Sequence, residues 1–484
     1  MEGLKEPQLW MSDLKGLPLS LNAEQVKQIE RLKISQVQVV DYTIRYAQKP
    51  IAAQLIGSIG QNPERIKSTF AAEYESGRLK LNSEIGSSGL EKTLEPWLRG
   101  IGSTSISYFT DAGKRPLQGL DARLVQANNP YYPLKVVTTL DAKIQQGIEL
   151  LMESMHIKEG AAVVLNAANA DVVAMVSRPA YNPNLEENMI STSWRNHAVK
   201  AIAPGSIFKT VVAAAALDEG VVSSDETFDC QGSLGKYGFT CWKKEGHGHL
   251  TLEEGFAESC NIVFAEVMKR LNSKQLEQYA HQLGLLTEVG WNGFNEKREK
   301  IQQVDAEEAG QLFAPVTPRD DEGVLMQSAI GQRDVLVSPL QAANLVVTLL
   351  NQGKRYSPRT VQEIRFQTNQ VMERYPIQRL NPAEKQIKAS TSVTLQKWMQ
   401  QVVREGTGKG LQGAKWELAG KSGTAQVLVQ GNEKVNQWFI GYGPIDHPQY
   451  AVSVVIEQAG PNDSNKAIPL FKGIMNLLAE SDNP

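Results

Sequence analysis

Two sets of apolar runs, one near residue 160 and one after residue 415, constrain the fold of this chain more than any other feature. The first, "GAAVVLNAANADVVAMVSRP" (160–179), is a pair of apolar strands joined across an Asn- and Asp-rich turn. The second is three runs in succession, "WELAGKSGTAQVLV", "NQWFIGYGPI" and "YAVSVVIEQ", which read as consecutive antiparallel strands. Between them lie helical segments, among them "TVVAAAALDEG" (210–220) and "SPLQAANLVVTLLNQG" (338–353), the latter closed by a glycine as helices often are. A last helix is expected at 466–480. Strands at both ends with helices between predict an α+β domain whose N- and C-terminal strands share one sheet and whose helices form the other layer.

At 484 residues the chain exceeds one ordinary core, so further units are expected. Residues 1–150 read as mixed α and β: a helical opening, "NAEQVKQIERLK" (22–33), an alternating strand, "SQVQVVDYTIRY" (35–46), and a loop-rich stretch at 86–105. "YYPLKVVTTLDAKIQQGIELLMESM" (131–155) then reads as a strand running into an amphipathic helix capped near Asp141. That helix is the expected boundary between units 1–150 and 151–484. No internal repeat or low-complexity tract interrupts either.

A net charge of −3 disfavours a nucleic-acid partner. The opening residues lack a basic stretch followed by an apolar one, and no segment reaches about 18 consecutive apolar residues. The three cysteines, Cys230, Cys241 and Cys260, leave alternatives open. Cys230 and Cys241 are spaced for a disulfide across a hairpin-like loop, or are two ordinary thiols. A third reading adds His247 and His249 as zinc ligands, although C-x10-C-x5-H-x-H matches no usual zinc spacing. Cys260 reads as a small buried filler.

Three short motifs carry the chemistry. Ser-x-x-Lys occurs three times, at Ser12/Lys15, Ser206/Lys209 and Ser233/Lys236, but only in "APGSIFKT" does Pro-Gly precede it and a convincing helix follow. A serine there has free backbone N–H groups and the positive end of a helix dipole beside it, and a desolvated Lys209 one turn on could act as its base. The plain alternative is an N-cap serine and a solvated lysine. In "ESCNIVFAEV", Ser259 and Asn261 at i and i+2 of an extended loop would face one cleft together. In "GKSGTAQ", read as a strand, Lys421 offers a cation for a carboxylate, Gly423 lets a ligand approach the backbone, and Thr424 can present an N–H to an oxyanion. A phosphate loop is rejected there, because it requires glycine where the chain has Lys415 and a helix rather than a strand afterwards.

Each motif is weak alone, but their order is specific: Ser-x-Asn follows the first serine by 53 residues and Lys-Ser-Gly lies 215 residues from it. With these three motifs the chain resembles the class B penicillin-binding proteins, the serine transpeptidases that cross-link peptidoglycan. "SSGLE" (87–91), "TTLDAKIQQGIE" (138–149), "SAIGQRDVLVSPLQAAN" (328–344), "GTGKG" (406–410) and "QWFIGYGP" (437–444) extend the resemblance over most of the chain. No stretch resembles the acidic motifs of a glycosyltransferase domain. The resemblance therefore implies a serine β-lactamase-like transpeptidase domain, an antiparallel sheet sandwiched with helices, preceded by a smaller non-catalytic pedestal.

It also implies roles. Ser206 would attack the D-alanyl-D-alanine bond of a stem peptide and Lys209 would take its proton. Ser259 would relay a proton, and Asn261 would bind Lys209 and the substrate amide. Lys421, Ser422 and Thr424 would hold the carboxylate beside Gly423, and the N–H groups of Ser206 and Thr424 would form the oxyanion hole. β-Lactams would be trapped on Ser206. No cofactor or metal is implied. Partners implied are stem peptides, β-lactams, and a membrane glycosyltransferase or division and elongation proteins. Class B members ordinarily begin with a cytoplasmic tip and one membrane-spanning helix, so an anchor to the outer face of the cytoplasmic membrane is expected. A β-lactamase, a D,D-carboxypeptidase and a non-enzymatic β-lactam sensor or scaffold remain alternatives at this point.

Overall fold

The structure is a computed structural model that describes residues 21–34, 37, 39, 45–47, 49–101, 105–107, 109–113, 117, 120, 123–125, 129–184, 192–223, 225–294, 300–381 and 383–482. Five strands lie side by side in the order Ala419–Val429, Asn432–Gly443, Tyr450–Ala459, Gly160–Asn166 and Val172–Arg178, each antiparallel to its neighbour. The terminal strand sets meet where Val452 stands opposite Val164 and Val454 opposite Ala162, so the expected shared sheet is present. Side chains alternate across it. Ala161, Val163, Leu165, Trp438 and Val455 enter one core, while Ala162, Val164, Phe439 and Val454 enter another. Because both faces are covered, these strands read as continuous apolar runs rather than alternating ones.

On one face pack the helices Ala142–Ser154 and Ala467–Ser481. Asp141 caps the first by accepting from the N–H groups of Lys143 and Ile144, and the second sets Phe471 against Phe439 with ring centroids 4.7 Å apart. On the other face lie Pro339–Leu350, opened by a capping box between Ser338 and Gln341, and Ala389–Arg404. Beyond them the helix Lys209–Glu219 is buried almost all round, its Ala213–Ala216 run allowing close approach, and it ends where Gly220 turns left-handed. Each Leu, Ile or Phe sealed in these layers contributes about 1.5–3 kcal/mol. The fold is thus α+β, a sheet sandwiched between helical layers.

In the preceding part of the chain, the helix Ala23–Arg31 carries a capping box of Asn22 and Gln25 and buries no residue. Short strand pairs follow, Ile59–Gln61 with Glu84–Gly86 and Ser105–Ser107 with Arg123–Val125. Most of the strand expected at 35–46 and all of the Ser12/Lys15 pair lie outside the described residues. Gly89–Thr93 docks this part onto the later chain: Leu90 and Leu94 pack with Trp291, Ile364 and Tyr375, and Lys92 Nζ meets Asp305 Oδ1 at 2.6 Å. Lys135–Thr138 completes a three-stranded sheet with Val361–Arg365 and Val371–Arg374.

Candidate active site

Pro204 and Gly205 turn the chain so that Ser206 sits in a single 3₁₀ turn, Gly205–Phe208, and the α-helix begins at Lys209, slightly later than its spacing suggested. The turn is held from three sides. Gly205 N–H donates to Gly331 O at 2.9 Å, Ile202 and Val337 pair reciprocally, and Trp438 Nε1 donates to Ala203 O at 2.9 Å. Gly205 has φ +57°, and a Cβ there would lie 2.3 Å from Thr424 O, so both conformation and contact require glycine. Ser206 is half-buried at the mouth of this turn.

Lys209 is fully buried, and its ammonium position is filled by three acceptors: Ser259 O at 2.6 Å, Asn261 Oδ1 at 2.8 Å and Ser259 Oγ at 3.3 Å. Burial lowers its pKa to about 7. A neutral amine is therefore accessible near neutral pH, as a base for the Ser206 hydroxyl requires. The Ser-Cys-Asn segment does not run as an extended loop. Ser259 takes a left-handed conformation, φ 55°, between the helices Leu252–Ala257 and Asn261–Met268, and Asn261 is the first residue of the second helix. The kink is what turns the Ser259 carbonyl and hydroxyl together onto Lys209, and a non-glycine residue in that region is strained. Asn261 Nδ2 donates onward to Thr240 O at 3.0 Å.

Lys421, Ser422, Gly423 and Thr424 lie on the edge strand, as expected. Gly423 serves the fold more than a ligand: a Cβ there would stand 2.8 Å from Pro204 O and 2.9 Å from Ile207 Cγ2, so glycine lets the Ser206 turn lie against the strand. Gln332 Nε2 reaches Thr424 O at 3.5 Å across the same edge. The N–H and C=O of one strand residue point to the same side, so the Thr424 N–H also faces the cleft beside Ser206. Thr424 is exposed.

Lys421, by contrast, is sealed in, with Nζ donating to Ser422 O at 3.2 Å and standing 5.4 Å from the Phe256 ring centroid. Burial, with the Lys209 charge adding to it, holds its pKa well below the ordinary lysine value. Lys209 stands similarly over Phe264, at 5.5 Å. The two buried amines have no carboxylate partner among the described residues, so an anion that entered the cleft would favour their protonated forms.

The cleft also contains residues to which the sequence reading gave no role. Thr407 Oγ1 is 2.6 Å from Ser422 Oγ, and Thr407 N–H donates to Ala257 O at 3.1 Å, linking the edge strand to the helix that ends beside Ser259. Gly331 and Gln332 touch the turn and the strand. Their segments, "GTGKG" and "SAIGQRD", carried a signal as family stretches, but the contacts are tertiary and no spacing reveals them. Ser233/Lys236 lies in an exposed loop, where Ser233 pairs with Thr240 instead of joining Lys209.

Comparison with known proteins follows the same lines. Residues 160–476 match a family model described as the penicillin binding protein transpeptidase domain, and residues 17–129 match the penicillin-binding protein dimerisation domain. The chain is 26% identical over 95% of its length to peptidoglycan D,D-transpeptidase MrdA of Haemophilus influenzae, and 29% identical over 90% to stage V sporulation protein D of Bacillus subtilis. It spans 73% and 63% of the lengths of these relatives. The fold is similar to the solved complex between penicillin-binding protein PBP2 and MreC from Helicobacter pylori, with a TM-score of 0.68 at 22% identity, covering 89% of this chain and 78% of that one.

Proposed function

We infer that this chain, which belongs to the penicillin-binding protein transpeptidase family, is a serine D,D-transpeptidase that cross-links peptidoglycan stem peptides and is acylated by β-lactams. The observation that carries the reading is the buried Lys209 amine, held by Ser259 and Asn261 behind a Ser206 turn that is clamped against an edge strand.

Ser206 Oγ adds to the penultimate D-alanine carbonyl, and its proton passes to the neutral Lys209 amine. Negative charge develops on the carbonyl oxygen between the N–H groups of Ser206 and Thr424. The C–N bond then breaks, the leaving D-alanine nitrogen takes a proton relayed through Ser259, and an acyl-enzyme remains. The amine of a second stem peptide attacks that ester, returns the proton to the Ser206 oxygen and forms the cross-link. Asn261 orients Lys209 and the substrate amide. The substrate carboxylate meets the hydroxyls of Ser422 and Thr424, and its charge favours the protonated form of the sealed Lys421.

The working division is a non-catalytic pedestal at 1–150 and a transpeptidase unit at 151–484, with the helix Ala142–Ser154 packing on the catalytic sheet. Among the described residues no helix is long and apolar enough to cross a membrane. By analogy with relatives we place the enzyme at the outer face of the cytoplasmic membrane, anchored by a single span and working with a glycosyltransferase or an elongation protein. The test is incubation with uncross-linked glycan strands carrying pentapeptide stems. Cross-linked dimers with release of D-alanine support the reading. Release of D-alanine without dimers would make the enzyme a carboxypeptidase, and rapid turnover of a chromogenic β-lactam a β-lactamase.

A further inference from the structure

Behind the Ser-Cys-Asn kink, three cysteines and a histidine converge. Cys230, Cys241 and Cys260 are buried free thiols, and no pair of them forms a disulfide. Cys230 Sγ and Cys241 Sγ each lie 3.5 Å from His247 Nδ1, Cys241 Sγ lies 3.9 Å from Cys260 Sγ, and all four ligand atoms fall within 4.8 Å of one another. His249, the partner the sequence spacing suggested, is exposed beside Asp229 instead. Cys260 takes its place, so the residue read as a filler belongs to the cluster.

The dimensions are those of a tetrahedral zinc site. With zinc–sulfur bonds near 2.3 Å and zinc–nitrogen bonds near 2.0 Å, a tetrahedron has S···S edges of about 3.8 Å and S···N edges of about 3.5 Å. Backbone N–H groups face the sulfurs, those of Lys243 and Asn261 toward Cys241 and that of Val263 toward Cys260, as suits thiolates. His247 Nε2 has no partner among the described residues, and the Trp242 ring closes over the imidazole edge-on at 5.2 Å. Three thiolates and an imidazole are a soft set that selects zinc over magnesium or calcium.

We propose that Cys230, Cys241, His247 and Cys260 bind one structural Zn²⁺, which locks the 230–247 loop to the Ser259–Asn261 kink. Four protein ligands leave no open position, so the ion positions rather than reacts. Its route to the site is short. Cys260 lies between Ser259 and Asn261, and Cys241 follows Thr240, whose carbonyl accepts from Asn261. One ion thus fixes both ends of that hydrogen bond and, through it, the acceptors that hold Lys209.

The experiment measures zinc in the intact purified chain by elemental analysis. It also substitutes cobalt to read thiolate charge-transfer bands, and compares wild type with His247→Ala and Cys230→Ser. One zinc per chain, a thiolate–cobalt spectrum and loss of the metal in both variants are expected. Penicillin acylation should then fall by about tenfold or more while the far-UV dichroism is kept. A wild-type chain that takes up no zinc when supplied with it and presents three freely titrating thiols, or carries a Cys241–Cys260 disulfide, would overturn the site. Metal-free variants that acylate at the wild-type rate would overturn the positioning role.

Discussion

The residue on which the chemistry turns is Lys209, whose burial lowers its pKa from 10.5 to about 7. Below that pH the amine is protonated and cannot accept the Ser206 proton, so acylation by a fluorescent penicillin should rise with pH through about 7 and then level. A flat profile would remove Lys209 as the base. Arginine cannot deprotonate in this range, so Lys209→Arg should slow acylation by about 10²- to 10⁴-fold. The sign for stability follows from the same depression. The unfolded chain takes up the proton first as pH falls, so the contribution of the neutral buried amine is full above pH 10.5 and is lost as pH falls toward 7. The motifs that hold Ser206, Lys209, Ser259 and Asn261 were legible from their order along the chain, although the segment at Ser259 was expected to be an extended loop and is a kink. The seal over Lys421, the Thr407–Ser422 contact and the partners of Cys260 were not. Each joins segments distant in sequence, and neither spacing nor residue type encodes who meets whom.

Between elements, the geometry depends on how closely the Ser206 turn lies against the edge strand. Gly423→Ala would set a methyl 2.8 Å from Pro204 O and press the turn outward. A displacement approaching 1 Å costs about 10²-fold in rate, so acylation should fall by that order while the far-UV dichroism stays unchanged. An unchanged rate would show that the turn has room to move. Trp438→Phe removes the donor to Ala203 O and leaves a partly buried carbonyl without it, which should destabilise by about 1 kcal/mol in denaturant titration. The strands were legible as apolar runs bounded by turn residues, and the shared sheet followed from their placement at both ends. The left-handed Ser259 was not, since nothing in a serine prescribes positive φ; the two helices it joins impose it.

Over the whole molecule, the pedestal segment 87–94 is tied to the later chain by Leu94, which is fully buried, and by Lys92 against Asp305. Leu94→Ala should destabilise by about 2–5 kcal/mol, read as a lowered melting temperature, and leave penicillin acylation intact because the cleft lies elsewhere. The five-stranded sheet gives the account its unity: its edge strand forms one wall of the cleft, and its second strand anchors the Ser206 turn through Trp438. All of this converges on one proposed nucleophile, Ser206. The most direct test is the intact mass of the protein after incubation with benzylpenicillin, for wild type and for Ser206→Ala. A persistent adduct of one penicillin on the wild type, absent from the variant, is the predicted result. An adduct retained by Ser206→Ala would contradict the account.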